Sequence, residues 1–262
     1  RLRREYLQPV LAEQPAVDWF EVITENYLDD DSALAGLERL RERYPLVLHG
    51  ISLAIGSPWP LDLDYLHRVR DLIDRVDPAW VSDHLCWSGA DDTQGNLLPL
   101  PYSRDMLEHL LPRIGQVQEI LGRPLLLENV PMERLDREPE IPEPDFIAEV
   151  AERTGSLILL DIANLHSTAV SRGLDTADYL ARLPEERVQQ IHLAGAVVLC
   201  QPEIDHGDVA ADPVWELYTR ALETFGPVST MIERVDTIPP LEEMVEELSI
   251  ARCAVRRLLS RD

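Results

Sequence analysis

Short apolar runs alternate along the chain with longer segments in which apolar residues recur at every third or fourth position. Segments such as LDYLHRVRDLIDRV and DPVWELYTRALETF are typical of amphipathic helices that cover one face of a sheet. The apolar runs predict seven strands, which stand in VDWFEVITEN, PLVLHGISL, AWVSDHLCW, RPLLLENV, SLILLDIAN, QQIHLAG and VSTMIERV.

The repeated βα order predicts a single α/β domain over residues 1–262, because runs this apolar suit parallel strands covered by helices. A TIM-type (β/α)8 barrel fits best and reaches this length as one domain. We expect its eighth strand to lie before Arg1 or to be replaced by irregular chain. A doubly wound open sheet is the alternative, but HGISLAIGS lacks the GxGxxG of a nucleotide-binding loop.

The formal net charge is −24, from 48 acidic and 24 basic side chains. Such a chain repels the phosphates of nucleic acids, so we expect no nucleic-acid partner. No apolar run approaches the roughly 18 residues that span a membrane, and no signal sequence opens the chain. We therefore expect a cytoplasmic protein without a membrane partner. Cys86, Cys200 and Cys253 have no CxxC spacing and are expected to be reduced thiols.

Polar side chains with metal-binding chemistry end nearly every predicted strand, at the edge where α/β barrels build their active sites. Only His67 and His109, of seven histidines, fall inside helical patterns. Any one such residue is commonly a hydrogen-bonded histidine or a helix-capping carboxylate, but converging carboxylates repel one another unless a cation neutralises them. We therefore predict a metal centre with the candidate ligands His49, His84, Glu128, Asn129, Asp161, Asn164, His192, His206 and Glu233.

The types and the number of these ligands narrow the kind of metal centre. Imidazole combined with carboxylate and amide oxygen suits Fe, Mn, Zn or Co and disfavours Mg or Ca. The candidates outnumber the ligands of a single ion, which indicates two or three metals with bridging carboxylates. Asp205 and His166 are further candidates close to the set.

The motifs around these residues resemble, in order, those of the multinuclear non-heme iron-dependent oxidative enzymes. This family includes the iron enzyme of methanobactin biosynthesis. The resemblance runs from Asp18 to Leu248 and is carried by DWFEVITENYL, LHGISLAIGS, VSDHLCWSG, LLLENVPMERL, LLDIANLHSTA, IHLAG, DHGD followed by DPVWELY, and IERVDTIPPLEEM.

The resemblance implies a barrel of the xylose-isomerase-like kind that holds two or three irons in a mixed-valent Fe(II)/Fe(III) state. Such an enzyme uses O2 to modify a residue, often cysteine, of a ribosomally synthesised precursor peptide. A companion protein commonly binds the leader of that peptide. Carried over by motif, Glu128 bridges irons that His49 and His84 also bind, and the other ligands are Asn129, Asp161, Asn164, His192, His206 and Glu233. The residues implied to surround the ligands are Asp83, His166 and Asp205.

The chain departs from the family pattern at several positions. Asp205 directly precedes His206, where the family commonly has Asp-x-His, so either Asp205 or Glu203 takes the aspartate's part. His166 stands where tyrosine is frequent, and Asp83 replaces a common glutamate. Two other classes share the same residue types: a divalent-metal-dependent sugar isomerase or epimerase, or a barrel endonuclease, which the charge disfavours, and a metal-binding or peptide-binding module without catalysis.

Overall fold

The computed structural model describes residues 1–87, 97–132, 138–194, 212–234 and 240–260. Within these ranges, seven strands form one parallel sheet, which are β1 (Phe20–Ile23), β2 (Leu46–His49), β3 (Trp80–His84), β6 (Leu126–Glu128), β7 (Leu157–Asp161), β8 (Val188–Ala194) and β9 (Ser229–Glu233). They follow one another across the sheet in this order. Between β3 and β6, the short strands β4 (Cys86–Trp87) and β5 (Leu98–Pro99) pair antiparallel.

Helices follow the strands in the predicted alternation and cover the outside of the sheet. They are α1 (Leu7–Glu13), α2 (Asp31–Arg41), α3 (Leu63–Val76), α4 (Arg104–Leu121), α5 (Glu143–Thr154), α6 (Ile162–Arg172), α7 (Thr176–Ala181), α8 (Pro213–Phe225) and α9 (Leu241–Leu259). Several begin at a side chain that caps the first turn, as Asp62 does for α3 and Asp161 for α6. Among the described residues, no helix has both the length and the apolar composition needed to cross a bilayer.

Irregular chain joins the first and last strands of the sheet, as expected for the eighth position. The backbone nitrogen of Arg1 donates to the carbonyl of Ile232 in β9 (2.8 Å), and that of Leu2 donates to the carbonyl of Glu21 in β1 (2.8 Å). Residues 1–3 therefore bridge β9 and β1 without forming a regular strand. The sheet is nearly closed, and the predicted α/β barrel is confirmed.

A change of register between β7 and β8 decides which side chains face the inside of the barrel. Ile158 pairs with Val188, but the next residue, Leu159, pairs with Gln190, so β8 carries one extra residue. Parallel partners point to the same face, and a slip of one residue reverses the facing of a strand. The shift therefore brings Asp161 opposite His192.

Candidate metal centre

Strand register brings four predicted ligands to one end of the barrel interior. His84 pairs with Glu128 across β3 and β6, and Asp161 pairs with His192 across β7 and β8. All four stand at or near the carboxyl ends of their strands, where parallel strands direct polar side chains to one mouth. The pairing places two imidazoles and two carboxylates in one group, in which Asp161 is half-buried and the other three are buried.

Glu128 is the centre of this group. Its Oε2 lies 3.3 Å from Nε2 of His49 and 3.3 Å from Nε2 of His84, while its Oε1 lies 3.2 Å from Nδ1 of His192. Glu128 is 3% exposed, and its Oε2 accepts no hydrogen bond from the described residues. One carboxylate thus faces three imidazole nitrogens and retains an oxygen with free acceptor capacity, which is the property of a bridging metal ligand.

The surroundings of His49 leave one of its nitrogens ready to bind a metal. Its Nδ1 lies 2.9 Å from the hydroxyl of Ser82, which itself donates to the carbonyl of Leu48 (3.4 Å), so the ring donates to the hydroxyl and the neutral ring carries its lone pair on Nε2. Burial lowers the pKa of His49 to about 4, despite the nearby carboxylates. The ring is therefore neutral near pH 7, as metal binding requires.

The charges of the cluster shift its other pKa values in opposite directions. Burial opposes the charged form of His192, but the carboxylates of Glu21 and Glu128 outweigh it and raise the pKa of His192 well above its usual value. Burial works against ionised Glu128 too, yet the neighbouring histidines hold its pKa below the usual range. Burial, and then the charge of Glu128, raise the pKa of Asp161 to about 7. Within the cluster, Glu128 and His192 therefore stabilise each other's charged forms, while Asp161 is shifted toward its neutral form.

Asn129 and Asn164 support Asp161 through backbone hydrogen bonds. The Asn129 amide accepts from the Asp161 nitrogen (2.8 Å) and donates to the Asp161 carbonyl (3.0 Å). Asn164 donates from Nδ2 to the Asn129 carbonyl (3.0 Å), and Asp161 caps α6 by accepting from the Asn164 backbone (2.7 Å). Both asparagines lie beside the cluster, where their amides fix the end of β7 against the end of β6.

Glu21 and Gln190 belong to the buried cluster, although neither was predicted from the sequence. Glu21 lies 2.9 Å from Nε2 of His192 through its Oε2, which also accepts from Nε2 of Gln190 (2.6 Å). Both residues are fully buried. The signal for Glu21 was a charged residue in the middle of an apolar strand, and the signal for Gln190 was its position two residues before His192, on the same face.

Three overlapping groups of side chains can each hold a metal ion, as far as the described residues show. In each group, one potential ligand atom per residue lies within 4.8 Å of the others. The groups share His49, Glu128 and His192, so neighbouring ions would have ligands in common. They are Glu21 with His49 and His192; His49 with His84 and Glu128; and Glu128 with Asp161 and His192.

The remaining predicted site residues lie at the edge of the cluster or outside the described ranges. Glu233 reaches 3.6 Å from Nδ1 of His192 and forms an ion pair with the Arg1 guanidinium. Asp83 is buried and accepts from the backbone nitrogens of His84 and Leu53, and His166 is partly buried on α6. The predictions for His206, Asp205 and Glu203 lie outside the described residues.

The sequence matches a known protein family along nearly its whole length. The sequence profile described as RiPP precursor modification enzyme MbnB/TglH/ChrH matches residues 1–256. A UPF0276 protein of Anaeromyxobacter sp. (strain Fw109-5) is 46% identical over 249 residues, which cover 94% of this chain and 88% of that protein.

Among solved structures, an L-ribulose 3-epimerase has a TM-score of 0.64 at 13% identity, covering 98% of this chain and 91% of that one. The apo form of a 3-keto-D-glucoside 4-epimerase from E. coli has a TM-score of 0.62 at 13% identity, covering 96% and 95%. At this identity, the likeness shows the fold alone, which is the TIM-type barrel of the xylose-isomerase-like kind.

Proposed function

This chain belongs to the RiPP precursor modification enzyme family MbnB/TglH/ChrH, and from that membership we propose that it is an iron-dependent enzyme that uses O2 to oxidise a residue of a ribosomally synthesised precursor peptide. The residue proposed to be modified is often a cysteine, as the family resemblance implies. Two or three irons per chain, in a mixed-valent Fe(II)/Fe(III) state, are part of the proposal.

The position of Glu128 carries this proposal. Its carboxylate is buried among three imidazoles, and its Oε2 has no hydrogen-bond donor among the described residues. A buried acceptor without a partner costs free energy unless water or a cation satisfies it. The mixed imidazole and carboxylate donors fit iron, and the overlap of the three groups fits more than one ion.

The residues proposed to hold iron are His49, His84, Glu128, Asp161, His192, His206 and Glu233, with Asn129 and Asn164 completing the set. Bound iron would supply the redox chemistry and the Lewis acidity that activate O2 and the peptide side chain. The protein residues would orient the ligands and hold a proton. His49 keeps a neutral ring with Nε2 toward Glu128, and the amide of Asn129 holds Asp161 at the mouth of the barrel. Asp161 is capable of holding a proton near neutral pH, because burial raises its pKa to about 7.

The proposed partners are the precursor peptide and a companion protein that binds its leader. Family membership supports the peptide, and the open end of a barrel is where a peptide side chain can reach a buried metal centre. The companion protein follows from the family resemblance alone.

The test starts from protein purified without oxygen. Metal content per chain is measured by inductively coupled plasma mass spectrometry, together with Mössbauer spectroscopy of an iron-57 sample. The protein is then incubated with O2 and a cysteine-bearing peptide encoded beside its gene, and the peptide mass is followed. Two or three irons and an O2-dependent mass change are expected. Glu143→Gln changes a buried carboxylate on α5 outside the cluster, and this variant should keep the metal content and the peptide mass change of the parent.

A divalent-metal-dependent sugar isomerase or epimerase is the alternative function. The observation in its favour is the same set of histidine, glutamate and aspartate donors at the mouth of a barrel whose fold sugar epimerases share. Stoichiometric Mn, Co or Zn with little iron, and isomerisation of a ketose without O2, would replace the peptide-oxidising proposal with this one.

A further inference from the structure

Ile51 is a large apolar side chain that stays exposed beside the candidate metal centre. It stands two residues past His49, at the end of β2, and is 37% exposed. The ladder between β2 and β3 continues past His49, because the backbone nitrogen of Gly50 donates to the carbonyl of Ser82 (2.7 Å). Side chains alternate along an extended chain, so Ile51 follows His49 on the side of the barrel mouth.

The carboxylate of Glu25 holds the backbone of Ile51. The nitrogen of Ile51 donates to Oε1 of Glu25 (2.9 Å), and the same oxygen accepts from the hydroxyl of Tyr65 (2.8 Å). Ile23 is the partner of His49 in β1, so this contact takes the place of the next pairing between the two strands. The backbone of Ile51 is therefore fixed, although its side chain is in contact with solvent.

The chain that follows Ile51 is anchored as well. The nitrogen of Leu53 donates to Oδ2 of Asp83 (3.2 Å), and Nε of Arg113, in α4, donates to the carbonyl of Ile55 (2.7 Å). The side chains of Leu53 and Ile55 are both buried in the core. Irregular chain with buried side chains and bonded backbone groups opens rarely. The segment from residue 50 to residue 55 is therefore a preformed part of the rim of the barrel.

This part of the rim differs in charge from the rest of the chain. Residues 50–61 include no charged side chain, although the formal net charge of the chain is −24. The acidic surface elsewhere repels acidic segments of a peptide. At Ile51 a peptide meets an uncharged apolar side chain, where contact with another apolar side chain removes both from water. The rim therefore favours an apolar peptide residue beside the metal centre.

We propose that Ile51 is a specificity-determining residue: it contacts the side chain next to the modified residue of the substrate peptide and favours an apolar residue there. The inference rests on the proposed function, because it requires a peptide at the mouth of the barrel. Since the backbone of Ile51 is already fixed, the contact forms with little loss of conformational freedom. Specificity then arises as a difference between the affinities for peptides with apolar and with polar neighbours.

The test compares two short synthetic peptides that share a central cysteine. One has leucine on both sides of the cysteine, and the other has serine in those places. Their affinities for protein purified with its own metal are measured without O2, by fluorescence anisotropy of a dye at the end of the peptide. Any bond between the thiol and the metal is common to both peptides and cancels in the ratio of their affinities.

The parent should bind the leucine peptide about 10-fold more tightly than the serine peptide. Ile51→Ser should bring this ratio close to one and leave the affinity for the serine peptide unchanged, while Ile51→Val should keep most of the preference. Leu259→Ser is the matched control, because Leu259 is an exposed apolar side chain (58%) at the far end of α9. This control should keep the ratio of the parent.

Three results would overturn the inference. They are equal affinities of the parent for the two peptides, no binding of either peptide, and the same ratio in Ile51→Ser as in the parent. Failure of the proposed function is read separately, from the metal content and the O2-dependent mass change. A protein that prefers the leucine peptide through Ile51 and oxidises no peptide would keep this inference and remove the oxidation. A protein that oxidises its peptide without a preference at Ile51 would remove this inference alone.

Discussion

Oε1 of Glu128 lies 3.2 Å from Nδ1 of His192, while the other oxygen of the same carboxylate faces the imidazoles on the far side of the cluster. The two oxygens therefore face different candidate ligands: Oε1 faces His192, and Oε2 faces His49 and His84. An amide in this position would keep the shape of the side chain and lose its charge, which both sets need.

Glu128→Gln is expected to lower metal affinity at both groups that contain Glu128, by more than the roughly 100-fold that outer carboxylates contribute. Metal content per chain after anaerobic purification gives the measurement. The matched control is Glu143→Gln, which makes the same change in a buried carboxylate elsewhere. Parent-like metal content in Glu128→Gln would show that Glu128 is no bridge.

Asn129→Asp tests the amide that holds the end of β7. Asn129 donates to the carbonyl of Asp161 at 3.0 Å, and an aspartate would place an oxygen there and a second charge beside Asp161. We expect the free energy of unfolding of the metal-free protein to fall by about 1–3 kcal/mol in urea titrations. Gln118→Glu is the control, because Gln118 makes the same pair of backbone contacts, to Thr154 and Leu125, away from the cluster. Equal losses of unfolding free energy in both variants would mean that the charges of the cluster do not contribute to the effect of Asn129→Asp.

The site residues at the strand ends could be predicted from the sequence, but the side chains that face the inside of the barrel could not. His84, Glu128, Asp161 and His192 follow apolar runs, and parallel strands bring such positions to one edge. Glu21 stands in the middle of a strand, where the sequence does not say which alternate residues face the inside. The facing of His192 toward Asp161 depends on the extra residue of β8, and a shift of register is decided by packing against the neighbouring strand.

Gly50→Ala probes the close packing behind the metal centre. A Cβ at Gly50 would clash with Oδ2 of Asp83, a buried carboxylate that two backbone nitrogens hold in place. Because the carboxylate has little freedom to move, we expect the variant to lose about 1–3 kcal/mol of stability. Gly115→Ala in α4 meets no atom within 4 Å and should instead gain up to about 1 kcal/mol from helix propensity. Thermal unfolding of both variants measures this contrast, and similar shifts of the melting temperature in the two variants would contradict it.

We expect the stability of the protein to depend on pH because of Glu143, which lies outside the metal centre. It is 4% exposed, its Oε1 is 3.4 Å from the hydroxyl of Tyr102, and the hydroxyl of Tyr179 faces it. Burial is the main cause that raises the pKa of Glu143 from 4.5 to about 7. Between pH 4.5 and about pH 7, the folded protein therefore holds a proton on Glu143 that the unfolded chain has already lost.

The sign of the effect follows from this difference in proton binding. The stabilising contribution is complete below pH 4.5, falls as the pH rises and is lost above about pH 7, a change of about 3 kcal/mol. Glu143→Gln stays neutral throughout, so the variant should gain on the parent by about that amount between roughly pH 5 and pH 8. Urea unfolding at the two pH values measures the difference, and Glu152→Gln, on the exposed side of the same helix, is the control. If the gap between Glu143→Gln and the parent does not widen with pH, the buried carboxyl of Glu143 is not the titrating group.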